Sequence, residues 1–265
     1  MSRPWRPTPL IAGTALLHAG AAAGLVAAPA LWPWALAAVA ANHALVTTAG
    51  LLPRSHLLGP NITRLPPAPG SARVALTIDD GPDPEVTPRV LELLAAHGLR
   101  ASFFLIGQRA ERHPALCRAI VVAGHRVENH GYSHSHALSL FGPARLAADI
   151  ARAQAAIADA SGQAPRFFRP TAGLRNLFLE PVLARQDLRL ASWTRRGYDT
   201  REPRVDRVLR RLTRDLADGD ILLLHDGHAA RASDGRPVIE HLIALLAQRL
   251  AQSGLASATL HEALT

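Results

Sequence analysis

Cysteine, acidic residues and nucleic-acid-binding motifs are scarce or absent in this sequence. Each shortage excludes or disfavours a class of structure or of partner. Cys117 is the only cysteine, which excludes an internal disulfide and a cysteine-rich zinc cluster. Asp and Glu number 21 against 29 Lys and Arg, so the formal net charge is +8. No zinc finger, helix-turn-helix pattern or RNA-binding aromatic motif accompanies this charge, and we expect no nucleic-acid partner. No motif indicates a protein partner either.

The basic balance leaves two interpretations open. It suits an anionic lipid surface or an anionic polymer, and it is equally typical of a surface of solvated arginines. A helix predicted over residues 204–217 poses the same choice, because its arginines share one face: Arg204, Arg207, Arg210, Arg211 and Arg214. That face can dock on the headgroups of membrane lipid or simply be solvated.

Charged residues are also absent from one long N-terminal segment, between Arg6 and Arg54. About 20 apolar residues cross a bilayer, so the segment is long enough for two helices, which we predict at residues 10–28 and 34–52. We expect residues 1–52 to form a membrane anchor of the bacterial inner-membrane type. A two-helix hairpin is favoured over a single span. A cleaved signal peptide is less favoured, because its apolar core is shorter than this segment.

Basic residues flank this segment at both ends and bear on its topology. They fit a hairpin with both ends in the cytoplasm, whereas a single span would place the main domain outside. The side of the membrane on which the domain lies is left open. Residues 53–72 are rich in Pro and Gly and predict a linker, which leaves residues 73–265 as the main domain.

The main domain alternates short apolar runs with longer amphipathic stretches, a pattern typical of a parallel α/β fold. We predict a distorted, incomplete (β/α) barrel of about seven parallel strands. The predicted strands are residues 74–78, 101–106, 125–128, 166–168, 188–193, 221–224 and 255–260. The predicted helices are residues 84–97, 109–123, 143–160, 205–217 and 237–252.

Function in such folds collects at the carboxyl ends of the strands, and chemically active side chains follow five of the predicted strands. They are Asp79 and Asp80, then His130 and His134, Arg169, Asp199, and His225. Two histidines and one carboxylate make a three-ligand metal site with open positions, suited to catalytic zinc or to the ferrous iron of an oxygenase. Adjacent strand residues point in different directions, so one Asp can bind the metal while the other takes a proton from the attacking water. We assign Asp83 to a turn.

The motifs resemble those of the polysaccharide deacetylases with a NodB homology domain, carbohydrate esterase family 4, over about residues 73–260. TIDDGP at residues 77–82 stands where the family has TFDDGP, and HGYSH at 130–134 stands for its H-[ST]-x-x-H. The resemblance implies that Asp79 is the general base. It also implies that Asp80, His130 and His134 hold a divalent metal, most often Zn²⁺, with Co²⁺ or Ni²⁺ as alternatives.

The third motif departs from the family pattern. The usual R-P-P-Y-G reads RPTAG, so Arg169 matches while Ala172 replaces the tyrosine. By resemblance, the backbone N–H of Ala172 would help to stabilise the oxyanion. In the family this aromatic ring lies beside the substrate. Because the ring is missing here, the motif does not indicate which substrate the protein takes.

The last two motifs are WTRRGYD, residues 193–199, and the L-x-H motif at residues 223–225. By resemblance, Asp199 would pair with Arg169, the residue that orients the base. His225 would be the general acid and Leu223 would line the acyl-methyl pocket. Trp193 has two interpretations, a core residue or a pocket wall. Asp226 likewise either holds His225 or caps the turn before Gly227.

Together these features predict a metal-dependent hydrolase that removes an N-acyl group from an amino sugar of a glycan or lipid-linked saccharide. The acyl group that we expect is N-acetyl. A catalytically altered NodB-fold module that only binds glycans is one alternative. A deformylase or other amidase that acts on a lipid-linked sugar is another.

Overall fold

The computed structural model describes residues 3–68 and 70–264, which form an N-terminal helix pair and an α/β domain. Helices α1 (Pro9–Ala27) and α2 (Trp32–Leu51) are joined by a 3₁₀ turn at Pro29–Leu31. By length and composition both are long and apolar enough to cross a membrane, and no residue of α1 is buried. Their bounds agree with the predicted helices to within two residues.

The helix pair begins and ends at the α/β domain. Before α1, Arg3 donates a hydrogen bond from its backbone to the carbonyl of Ala184 and pairs with Glu180 at 2.6 Å. After α2, the carbonyl of Pro53 accepts a hydrogen bond from Ser192 Oγ at 2.6 Å. The two helices therefore run antiparallel, with the turn between them at the end away from the domain.

The domain is built on one curled sheet in which all strand pairs are parallel. Its strands are β1 (Arg73–Asp79), β2 (Ser102–Leu105), β3 (Arg126–Asn129), β4 (Phe167–Phe168), β5 (Arg189–Leu190), β6 (Arg195–Arg196), β7 (Ile221–His225) and β8 (Ala256–Ala258). The order is β5-β4-β3-β2-β1-β7-β6, and β8 pairs with the beginning of β1. This confirms the predicted α/β class. The extra strand is β6, whose two arginines give no apolar signal in the sequence.

The remaining helices connect the strands. They are α3 (Thr87–Ala96), α4 (Gly107–Arg112), α5 (Pro114–Val122), α6 (Pro143–Ser161), α7 (Leu179–Arg185), α8 (Val205–Thr213), α9 (Val238–Gln252) and α10 (Leu260–Leu264). One predicted helix, residues 109–123, was wrong as a single element. Pro114 cannot donate a hydrogen bond within a helix, so α4 ends at Arg112 and α5 begins at the proline.

Alternation along β1 separates the two sides of the sheet. Val74, Leu76 and Ile78 belong to the large core beneath the outer helices. Ala75 faces the opposite, concave side, where it packs in a second cluster with Phe104, Trp193 and Leu223 as neighbours. Because side chains alternate along a strand, Asp79 also lies on the concave side. The fold thereby places this carboxylate inside the curl of the sheet.

The predicted linker, residues 53–72, packs against the domain over its described residues. Ile62 pairs with the end of β5: its N–H donates to the carbonyl of Leu190 and its carbonyl accepts from Ser192 N–H. Leu65 N–H then donates to the carbonyl of Gly219, just before β7, and the Leu65 side chain is buried. The segment thus runs from one edge of the sheet to β7 and ties the helix pair to the domain.

Candidate active site

The two adjacent carboxylates at the end of β1 point to different places. Asp79 ends the strand and turns into the concave side, where its Oδ1 accepts a hydrogen bond of 2.6 Å from Arg169 Nη1. Asp80 has a positive φ of 76°, which turns its side chain towards His130 and His134. A left-handed residue directly after the strand is what gives the two acids separate partners. The two carboxylates thus have different partners, and their separate roles stay a prediction.

Arg169 is completely buried, and each nitrogen of its guanidinium donates at least one hydrogen bond. Nε donates to the carbonyl of Ala191 at 3.1 Å and Nη2 to that of Ser192 at 2.8 Å. Nη1 donates to Thr77 Oγ1 at 2.9 Å and to Asp79. Four hydrogen bonds, two to β1 and two to the segment after β5, hold this cation rigidly, so Asp79 is held in one orientation.

Asp80, His130 and His134 converge on one point. Oδ1 of Asp80 lies 3.2 Å from Nε2 of His130 and 3.0 Å from Nε2 of His134, and the three ligand atoms lie within 4.8 Å of one another. Nδ1 of His130 lies 2.7 Å from the carbonyl of Arg169, which leaves Nε2 for a metal. Two imidazole nitrogens and one carboxylate oxygen fit a divalent cation such as Zn²⁺ and leave positions open for other ligands.

The electrostatics of Asp80 agree with this interpretation. Burial by itself raises the pKa of the Asp80 carboxyl, but hydrogen bonds from His130, His134 and His228 outweigh burial and hold the pKa well below its usual range. His228 reaches Oδ2 of Asp80 with Nδ1 at 3.3 Å, and its ring stacks on that of His134 at 5.9 Å. Sequence reasoning missed His228, although it stands only three residues after the predicted acid, His225, in HDGH.

The loop between the two predicted metal-ligand histidines is held by an acid from helix α6. Oδ2 of Asp149 accepts the N–H of Tyr132 at 2.9 Å, and Oδ1 accepts the N–H of Ser133 at 3.2 Å. Gly131, where the family usually has Ser or Thr, has a φ of 78°. The loop therefore bends at a residue without a Cβ, and Asp149 fixes the bend. Nothing in the sequence distinguished Asp149 from other acids on amphipathic helices.

His225 lies opposite Asp79 in the β1–β7 register, at the end of β7. Its Nδ1 lies 2.8 Å from Oδ1 of Asp199, and its backbone N–H donates to Oδ2 of the same carboxylate at 2.7 Å. Burial lowers the pKa of His225, but Asp199, together with Asp79 and Asp80, outweighs burial and raises the pKa to about 9. The imidazole is therefore protonated at neutral pH, with Nε2 as the nitrogen available to the pocket.

This corrects the predicted Arg169–Asp199 pair. The described hydrogen bonds of Arg169 go to Asp79, to Thr77 on the same strand and to two backbone carbonyls after β5, while Asp199 holds His225. The order of motifs along the chain cannot show which of two acids an arginine reaches. Arg169 still orients Asp79, the predicted base, and it does so by direct contact.

Two further acids next to the site, Asp83 and Asp226, hold turns of the backbone. Oδ1 of Asp83 accepts the N–H groups of Glu85 and Val86 at 3.0 and 3.1 Å, which confirms its assignment to a turn. Asp226 accepts the N–H of Gly227 at 2.9 Å and the hydroxyl of Thr87 at 2.5 Å. Asp226 therefore caps the turn, the second of its two predicted roles.

These groups surround one pocket of about 330 Å³. All ten predicted site residues except the fully buried Arg169 and Asp199 line it, and those two hold Asp79 and His225 from behind. Leu223 and Trp193 form apolar parts of the wall, and Ala172 lies in a 3₁₀ turn at Thr171–Gly173 with a φ of 56°. Eight lining residues were not predicted as site residues: His136, Pro170, Thr171, Gly173, Arg196, Thr200, Arg201 and His228.

Comparisons with known proteins identify the arrangement. A family model described as polysaccharide deacetylase matches residues 67–191. A chitooligosaccharide deacetylase from Bradyrhizobium sp. (strain ANU 289) is 37% identical over 160 residues, which are 60% of this chain and 73% of that protein. A peptidoglycan-N-acetylglucosamine deacetylase from Bacillus cereus is 35% identical over 156 residues, 58% of this chain and 72% of that protein.

A solved structure agrees with the sequence relatives. The family 4 carbohydrate esterase from Streptomyces lividans, in complex with acetate, matches with a TM-score of 0.64 and 37% identity. The match covers 71% of this chain and 92% of that one. The chain therefore belongs to the polysaccharide deacetylase family, carbohydrate esterase family 4.

Proposed function

We propose that this chain is a metal-dependent hydrolase that removes an N-acetyl group from an amino sugar of a glycan or a lipid-linked saccharide. The observation that carries the proposal is the single pocket in which a buried base, a three-ligand metal site and a protonated histidine meet. The relatives named as chitooligosaccharide and peptidoglycan deacetylases support an acetylated amino sugar as substrate.

The metal site sets the chemistry. Asp80, His130 and His134 would hold a divalent ion, and we propose Zn²⁺, with Co²⁺ or Ni²⁺ able to replace it. When bound, such an ion polarises the amide carbonyl and lowers the pKa of the attacking water. Asp80 is ionised and both histidines present Nε2, so the ligands need no large rearrangement to receive a cation.

Asp79 is the base. Arg169 fixes one carboxylate oxygen at 2.6 Å, and the other, Oδ2, lies on the side of the metal ligands, 3.9 Å from Nε2 of His130. Oδ2 takes a proton as water adds to the amide carbonyl. Developing negative charge on the carbonyl oxygen is stabilised by the backbone N–H of Ala172, which remains part of this proposal.

His225 is the acid that completes the reaction. As the C–N bond breaks, Nε2 donates its proton to the departing amine, and acetate and the free amino sugar leave. Asp199 stabilises the imidazolium before this transfer and keeps the ring in place through Nδ1. Leu223 and Trp193 supply an apolar wall for the acyl methyl group.

The helix pair bears on where in the cell this chemistry occurs. We propose that α1 and α2 form a membrane-spanning hairpin, because both are apolar on all sides and both outer ends contact the domain. Basic residues at both ends, such as Arg3 and Arg54, favour the cytoplasmic side for the domain. The full chain should stay in the membrane pellet after alkaline carbonate extraction, and its release into the supernatant would contradict the anchor.

Acetate release tests the proposed function. Purified full-length protein, loaded with Zn²⁺ or stripped by a chelator, is incubated with chitooligosaccharides, peptidoglycan fragments and lipid-linked N-acetylhexosamines. We expect metal-dependent acetate release by the wild type and none by Asp79→Asn. Formate from formylated sugars would instead identify a deformylase. Saccharide binding without release of either acid, in protein shown to contain metal, would identify a glycan-binding module.

A further inference from the structure

A second, larger cavity opens beside the catalytic pocket, and arginines dominate it. We call it the arginine groove; its volume is about 1030 Å³. Seven of the eleven residues that line it are arginines, and none of the eleven is acidic. All 29 basic residues of the chain are arginines. Arginine is the side chain whose planar fork matches a phosphate group with two parallel hydrogen bonds.

The arginine groove and the catalytic pocket share a wall. Trp193 and Arg196 line both cavities. The Arg196 guanidinium carbon lies 5.4 Å from the ring centroid of Trp193 and 5.0 Å from that of Tyr198, so the side chain is held by aromatic rings. Its Nε is buried and has no hydrogen-bond partner among the residues that the structure describes. An unsatisfied cationic donor between two cavities is suited to an anionic ligand.

Positive charge in the arginine groove exceeds its local compensation. Arg207 and Arg211 from α8 share the single carboxylate of Glu202, at 3.9 and 3.5 Å. Arg54 donates only to the neutral carbonyl of Thr194, within the described hydrogen bonds. Three lining arginines have an acidic partner outside the lining and contribute less: Arg195, Arg210 and Arg214, at 2.8, 2.8 and 3.9 Å. The arginine groove is therefore a concave cationic surface rather than an evenly paired one.

The arginine groove also lies where the helix pair joins the domain. Pro53 and Arg54 line it, and they directly follow the end of α2 at Leu51. If α1 and α2 lie in a bilayer, this end of the groove lies at the level of lipid headgroups. A lipid whose chain runs beside α2 would present its phosphate there.

We propose that the arginine groove binds the phosphate or diphosphate of an amino sugar linked to a membrane lipid, while the sugar's acetamido group enters the catalytic pocket. In a 2-acetamido sugar phosphate the two groups are on adjacent ring carbons, which matches a cationic residue, Arg196, on the wall between the two cavities. This inference rests on the proposed deacetylation of an amino sugar and specifies its substrate class.

The test compares two substrates that differ in the phosphate. One is an N-acetylglucosaminyl phosphate on a short polyprenol, and the other is a neutral N-acetylchitooligosaccharide, both in uncharged detergent. Arg196→Gln and Arg211→Gln are compared with Arg249→Gln, an exposed arginine of α9 outside the arginine groove. Loss of one charge-assisted hydrogen bond should lower kcat/KM for the phosphate substrate by about 10- to 100-fold. For Arg211→Gln, which lies outside the catalytic pocket, kcat/KM for the neutral substrate should fall less than about threefold, and Arg249→Gln should match the wild type on both.

Further experiments distinguish a sugar phosphate from inorganic phosphate and from anionic bulk lipid as the ligand of the arginine groove. Competition by N-acetylglucosamine 1-phosphate at concentrations where inorganic phosphate has no effect would support recognition of a sugar phosphate. Equal losses on both substrates would overturn the proposal, because they indicate a structural role. It would equally be overturned if the variants lost activity only in vesicles that contain phosphatidylglycerol, since the groove would then dock on bulk lipid.

Failure of the proposed function gives a different result. If the wild type releases acetate from neither substrate, the hydrolase proposal fails, and calorimetric titration with the phosphate-linked saccharide still tests the arginine groove. Binding that Arg196→Gln weakens by tenfold or more, on the order of one charge-assisted bond, would keep the groove as a phosphate site. Equal binding by wild type and variant would overturn it.

Discussion

The pair formed by His225 and Asp199 gives a prediction with a calculable size. The structure raises the pKa of His225 from 6.5 to about 9, and Asp199 is the largest of the groups that raise it. That shift corresponds to about 3 kcal/mol in favour of the imidazolium. Asp199→Asn keeps an acceptor for Nδ1 but removes the charge, so we expect the pKa of His225 to fall towards 6.5.

Activity should follow the protonation of His225. At pH 7.5 a histidine with a pKa of 6.5 is only about 10% protonated, so kcat/KM for deacetylation should fall about tenfold from this cause alone. The alkaline limb of the pH profile should lie near pH 9 in the wild type and about two units lower in the variant. Acetate release measured between pH 5 and 10 gives both profiles.

The same shift has a stability counterpart. A histidine whose pKa is higher in the folded state stabilises the fold fully below pH 6.5, and this contribution is lost as the pH rises through about 9. Wild-type stability relative to Asp199→Asn should therefore decline over that range. The matched control is Asp159→Asn, an exposed acid of α6. An alkaline limb that stays near pH 9 in Asp199→Asn would refute the assignment of His225 as the acid raised by Asp199.

Three further substitutions test other parts of the site. Asp79→Asn should lower turnover about a thousandfold while elemental analysis finds the metal content unchanged; retained deacetylation would refute its role as base. Asp149→Ala removes the acceptor that holds Tyr132 and Ser133, so competition with a chelator should show about 10- to 100-fold weaker metal binding, and an unaltered affinity would argue against Asp149 as a positioning residue. Arg169→Met leaves Asp79 buried without its cation, and urea unfolding should show a loss of about 3 to 5 kcal/mol; a loss below about 1 kcal/mol would contradict a buried, tightly coupled pair.

The fold class could be predicted because each buried strand has its own apolar run. β1 and β7 have continuous apolar sequences, and both were predicted almost residue for residue. β6 was missed because Arg195–Arg196 has no apolar pattern and is defined only by its pairing with β7. Composition also could not predict that the described part of residues 53–72 packs against the domain. Pro and Gly are as typical of an extended packed segment as of a loose one.

The site residues could be predicted because chemistry in a parallel sheet collects at strand ends, but their partners could not. Arg169 and Asp199 were both recognised, yet Arg169 reaches Asp79 across the concave side while Asp199 reaches His225. Such pairings depend on the curl of the sheet, which brings distant strand ends together and which no local pattern encodes. The same limit applies to Arg196, which lines two cavities at once. Its sequence context, two arginines between Trp193 and Tyr198, is ordinary, and only the folded chain brings aromatic rings to its guanidinium and leaves its Nε without a described partner. The residues that we propose to select the substrate are therefore those whose surroundings are assembled from separate parts of the chain.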